Sequence, residues 1–112
     1  MMKSSVRDVG DVRVIGLEGK VTIGAGDIQL RGLIDQAIAA GRSKVLLDLA
    51  EVTHVDSSGI GEMVGCFTTL TRRGGAMKLV NLPDKINDIL QVTQLITVFD
   101  VFANETEALA SF

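Results

Sequence analysis

A chain of 112 residues, 46% of them apolar, has the size of one domain and enough hydrophobic side chains to close a core. Its 11 basic and 14 acidic side chains leave a net charge of -3 with neither sign clustered, which excludes the basic stripe that nucleic-acid binding requires. The single cysteine, Cys66, rules out an internal disulfide, Met1–Arg7 lacks the pattern of a secretory leader, and no apolar run nears the ~20 residues of a membrane helix, so the expectation is a soluble, cytoplasmic protein without membrane insertion.

Between Val6 and Val21 apolar residues are interleaved with polar ones, and Gly10-Asp11 offers a tight turn, which predicts an opening hairpin. Ile23-Gly24-Ala25-Gly26-Asp27 reads as a flexible loop. Leu30, Leu33, Ile34, Ala37 and Ile38 then recur at helical spacing and predict a helix over residues 28–40, with Asp27 as candidate cap and Gly41 as stop. Val45-Leu46-Leu47-Asp48-Leu49 is a nearly continuous apolar run, the pattern of a strand buried on both faces and therefore central.

After Val52-Thr53-His54-Val55 the period changes. Ile60, Met63, Val64, Phe67 and Leu70 mark a second helix ending at Arg72-Arg73-Gly74-Gly75, where the arginines suit the negative end of its dipole. Met77-Lys78-Leu79-Val80 is a further strand, and Pro83 fits the first turn of a helix carrying Ile86, Ile89 and Leu90. A last strand over Val98–Phe102 precedes Asn104, which can cap a short helix with Glu107 as reciprocal partner. The expectation is an α/β fold, a single domain over residues 1–112, with a mixed sheet of four or five strands, an opening hairpin, about four helices and right-handed crossovers. The helices are expected to cover one sheet face more fully than the other.

The stretch that carries chemistry is Val52-Thr53-His54-Val55-Asp56-Ser57-Ser58-Gly59-Ile60-Gly61, at a strand-to-helix junction. Backbone N–H groups there lack helical partners, so Asp56, Ser57 or Ser58 can each serve as cap, while Gly59 and Gly61 permit close approach. A well-capped helix accounts for these residues by itself. The same position is also a favourable seat for a phosphate added to a serine hydroxyl, and such a phosphate brings roughly -1.5 to -2 charges to the surface beside the Asp56 carboxylate.

The run Val55-Asp56-Ser57-Ser58-Gly59-Ile60-Gly61, the upstream Leu47-Asp48-Leu49 and the Gly74-Gly75 turn before Met77-Lys78-Leu79-Val80 together resemble the STAS family of anti-sigma-factor antagonists, over nearly the whole chain. The resemblance implies that Ser57, the first serine after the aspartate, is phosphorylated by an anti-sigma factor that is itself an ATP-dependent serine kinase. It implies a switch in which the unmodified protein sequesters that kinase and releases a sigma factor, phosphorylation ends the contact, and a PP2C-type phosphatase restores it. The partner-binding surface would include Asp56, Ser58, Gly59 and Ile60, and ATP would belong to the partner. Thr22 in Gly19-Lys20-Val21-Thr22 departs from the family, many of whose members have an acid near this point, and this bears on which partner is recognised.

Competing signals are weaker. Gly19 to Gly26 lacks the order of a phosphate loop, and Gly59, Gly61 and Gly65 lack dinucleotide spacing and a following acid. Serine catalysis needs a base, and the lone histidine, His54, lies too close in an extended segment to serve Ser57 or Ser58, so no catalytic residue is assigned and His54 is read as a surface or partner-facing residue. Cys66, Met63 and Phe67 fit a packed helical stripe, and one cysteine with one histidine makes no recognisable metal site. No cofactor is expected. The alternative reading is a constitutive docking subunit of a transporter or signalling scaffold; small-ligand sensing would require saturable binding.

Overall fold

The hairpin turn shows how the chain begins to build its sheet. Gly10 sits at φ +61°, a left-handed conformation that costs glycine little, and with Asp11 it joins β1 (Met2–Val9) to β2 (Val12–Val21) in an antiparallel pair running from Val9–Val12 to Met2–Gly19. The computed structural model describes residues 2–112; Met1, the first residue of the expected domain span, lies outside them. The hairpin is longer than the expected start at Val6, because Met2 is buried against the core and holds the strand's beginning to the sheet.

From β2 onward the strands are parallel. The helix α1 (Ala25–Ala39) leads to β3 (Lys44–Val55), α2 (Ser57–Arg72) to β4 (Ala76–Val80), and α3 (Asp84–Val92) with a 3-10 turn at Leu95–Thr97 to β5 (Asp100–Phe102). The strand order is β1-β2-β3-β4-β5, which places β3 in the middle as its apolar run requires. Core residues of α1, α2 and α3 (Leu30, Ile34, Met63, Leu70, Ile86 and Leu90) join Val45 and Leu47 in one cluster. Successive crossovers over one face add strands in one direction, which accounts for the unbroken order. On the other face Leu46, Val12, Val14 and Val80 pack with Ala108 of α4 (Glu105–Ala110), so β3 is covered on both sides by unequal layers.

The helix ends follow local chemistry. Both α1 and α2 close with a glycine in the left-handed region, Gly41 at φ +76° and Gly74 at φ +77°, and in each case two N–H groups return to the last turn: Arg42 to Ala37 O and Gly41 to Ile38 O, Gly75 to Leu70 O and Gly74 to Thr71 O. Asn104 caps α4, its Oδ1 accepting from the Glu107 N–H at 2.9 Å.

Three expected boundaries move. The first helix starts at Ala25 rather than 28, with Gly24 as N-cap at φ +95°; Asp27 is therefore not the cap but a first-turn residue whose carboxylate accepts from Ile28 N–H. Pro83 is the N-cap of α3, just outside its first turn, in an extended conformation with ψ 151°. Val98 and Phe99 are not in the last strand, because the 3-10 turn ahead of them leaves only Asp100–Phe102 to pair with Lys78–Val80.

Candidate functional site

The strand β3 runs on past its apolar centre to Val55, paired with the end of β2 through register shifts near Gly16–Glu18 and Gly19–Lys20. It delivers Asp56 in an extended conformation directly ahead of α2. Of the three cap candidates Asp56 takes the role: its Oδ1 accepts from the Gly59 N–H at 2.8 Å. Its Oδ2 accepts from the Ile23 N–H at 2.9 Å, so one carboxylate joins the start of α2 to the turn between β2 and α1. The N–H groups of Ile23, Gly59 and Ser58 hold the Asp56 carboxyl below the usual carboxylate range.

Because Asp56 is the cap, Ser57 and Ser58 fall at the first two helical positions. Ser57 is exposed and Ser58 half-buried. Gly59 and Ile60 are buried: a Cβ on Gly59 would lie 2.0 Å from the Val21 carbonyl oxygen, and the Ile60 side chain belongs to the main core. Of the expected partner-binding residues, Asp56 and Ser58 are half-buried at the head of α2, whereas Gly59 and Ile60 are buried. The last two seat α2 against the end of β2 and do not present side chains to solvent.

Residues that local pattern did not single out complete the surface. Ile23 is 73% exposed and Ile28 is 72% exposed, although both are large and apolar. Their only sequence signal is that Ile28 falls outside the buried stripe of α1 and Ile23 lies in a glycine-rich stretch. Gly26 tightens the same corner, since a Cβ there would come within 2.7 Å of the Lys20 carbonyl oxygen. Thr22 is half-buried in the turn, and its carbonyl accepts from Asp27 N–H at 3.1 Å, so the supposed loop Ile23–Asp27 is a short turn followed by a helix.

Behind the site, Arg31 of α1 bonds Glu62 at 2.6 Å and Thr69 at 3.0 Å on α2, fixing the two helices to each other. His54 is exposed with its Nδ1 3.0 Å from the Thr53 hydroxyl. Burial pushes the Cys66 thiol up to about 12, which suits a packing group. Among the described residues no group of three or more His, Cys, Asp or Glu side chains is arranged to hold a metal, and no helix is long and apolar enough to cross a membrane.

The family model for the STAS domain matches residues 3–108. The chain belongs to the STAS domain family. The anti-sigma-B factor antagonist of Bacillus subtilis (strain 168) is 25% identical to this STAS domain over 89 residues, 80% of each chain. The anti-sigma F factor antagonist of Paenibacillus polymyxa is 25% identical over 99 residues, 88% of this chain and 84% of that one. Among solved structures, the Bacillus cell-fate determinant SpoIIAA in its phosphorylated form superposes with a TM-score of 0.75 at 24% identity, covering 97% of this chain and 98% of that one. A sulfate transporter family protein from Wolinella succinogenes superposes with a TM-score of 0.78 at 21% identity, covering 92% and 85%. The two structural likenesses establish the STAS fold.

Proposed function

We propose that this STAS domain is an anti-sigma-factor antagonist whose grip on an anti-sigma serine kinase is released by phosphorylation of Ser57. The observation that carries the reading is the division of labour at the head of α2: Asp56 does the capping, which leaves the exposed Ser57 hydroxyl free of that task. A phosphate on Ser57 sits at the positive end of a 16-residue helix, where negative charge is favoured, so the domain itself tolerates it. A partner docked over the same surface meets roughly -1.5 to -2 added charges beside Asp56. Removing one member of a buried charge pair costs about 3–5 kcal/mol, and a penalty of that size on a docked complex weakens it by a hundredfold or more.

In this reading the chain performs no chemistry. ATP is bound and cleaved by the kinase, and a PP2C-type phosphatase removes the phosphate. The names of the curated relatives support an anti-sigma factor as partner. Asp56, Ser58 and the exposed Ile23 and Ile28 supply the docking face. The test is calorimetric titration of the host's anti-sigma kinase with the parent chain, Ser57→Ala and Ser57→Asp. The first two are expected to bind alike and the third about a hundredfold more weakly; a Ser57→Asp chain that binds as tightly as the parent contradicts the reading.

A second reading is favoured by the likeness to the Wolinella succinogenes protein: a constitutive docking subunit of a transporter or signalling scaffold. Ser57 is then a surface residue of the helix start. Co-purification with membrane transporter components, with Ser57 unmodified, supports that role.

A further inference from the structure

The sheet has two edges, and they are unlike. On one side β5 offers only Asp100–Phe102. On the other, β1 offers the eight residues Met2–Val9, paired to β2 without a register shift and free of proline and glycine. Every second residue of an edge strand turns its N–H and C=O away from the sheet, so a long, regular edge is a template for another strand. Short length, proline and bulges protect such edges; β5 has the first of these and β1 has none.

Charge is a further protection, but the charges of β1 are mostly held by partners in their own chain. Arg7 pairs with Glu105 of α4, and Asp8 accepts from Arg13 Nε at 2.9 Å and Nη2 at 3.2 Å, with Arg42 3.7 Å away. Of the charged side chains on β1, Lys3 alone has no ion pair among the described residues. Val6 and Val9 stand outside the core, 46% and 38% exposed. The chain's own β1 fits this edge. In a two-fold dimer of antiparallel edge strands the dyad is perpendicular to the sheet, so the register centres on a single residue. Two registers use nearly all of β1. Centred on Ser5, Lys3 stands opposite Arg7 on both sides of the dyad, which like-charge repulsion disfavours. Centred on Val6, the pairs are Val6–Val6, Ser5–Arg7, Ser4–Asp8 and Lys3–Val9, with no like charges opposed and an apolar contact at the centre.

We infer that β1 is a self-association edge, through which two copies of this chain pair antiparallel with Val6 on the dyad to form one continuous sheet. The dyad reverses the strand direction, so the heads of the two α2 helices point to opposite ends of the dimer and both stay free to dock a partner. The inference does not depend on phosphorylation of Ser57. It is tested by sedimentation velocity on the full chain from ~10 µM to ~1 mM, with hydrogen exchange of backbone amides in the same solutions. The average mass should rise from monomer toward dimer, and protection of amides within Ser4–Asp8 should rise with it. Val6→Lys opposes two ammonium groups at the dyad and should weaken association at least tenfold with an unchanged urea midpoint. If that variant does not fold, Val6→Cys should give a disulfide-linked dimer on mild oxidation, whereas Ser4→Cys, about 14 Å from its copy in this register, should not. The buried Cys66 is out of reach of either thiol's partner copy. A chain that stays monomeric across the concentration range, protection gained elsewhere, or association lost in Ile23→Ser, Ile28→Ser but kept in Val6→Lys overturns the assignment.

Discussion

Asp56 uses both carboxylate oxygens, one to cap α2 and one to hold the Ile23 N–H. Asp56→Ala removes both bonds and Asp56→Asn leaves an oxygen for one, so the urea midpoint should fall most for alanine and by an intermediate amount for asparagine. Because the folded carboxyl is held below its ordinary value, its contribution to stability is complete above the unfolded value near 3.9 and is lost as pH falls through the folded value. Urea midpoints measured from about pH 5 down to about pH 2 should decline less steeply for Asp56→Asn than for the parent. Cys66 makes the opposite case: with its thiol pushed up to about 12, only about 10⁻⁴ of it is thiolate at pH 8, so it should resist iodoacetamide in the native chain and react fully in urea, as mass spectrometry of the intact protein would show.

At the level of elements the glycines of α2 separate packing from propensity. A Cβ at Gly59 meets the Val21 carbonyl at 2.0 Å, whereas one at Gly61 meets nothing within 4 Å. Gly59→Ala should cost about 3 kcal/mol or more in urea unfolding, because backbone must shift, while Gly61→Ala should stabilise by about 0.5–1 kcal/mol. Elements whose signals are local were legible: the Gly10-Asp11 hairpin, the central apolar strand at Val45–Leu49, the end of α2 at Gly74 and the Asn104 cap. Features set by distant partners were not. The early start of α1 follows Gly24 at φ +95° and an Ile23 N–H satisfied by Asp56, 33 positions away in sequence. The strand β3 continues through exposed Ala50-Glu51 because β2 lies alongside it, with Glu18 opposite Glu51. At the site, the Asp56-Ser57 motif was legible, but the burial of Ile60 and the exposure of Ile23 depend on how α2 meets the end of β2.

For the whole molecule, three helices on one sheet face and one short helix on the other leave the functional groups near the carboxyl ends of the parallel strands. The head of α2, the turn before α1 and the α3 connection all emerge there. Ile23 and Ile28 stand clear of the core, so the double change Ile23→Ser, Ile28→Ser should leave stability within about 0.5 kcal/mol while weakening capture of the anti-sigma kinase tenfold or more in a pull-down titration. The switch itself is tested most directly by phosphopeptide mass spectrometry on the protein isolated from its own host under growth and under stress. The proposed function predicts phosphate on Ser57 in an amount that changes with condition; a peptide unmodified at Ser57 under every condition contradicts the switch and leaves the constitutive docking role.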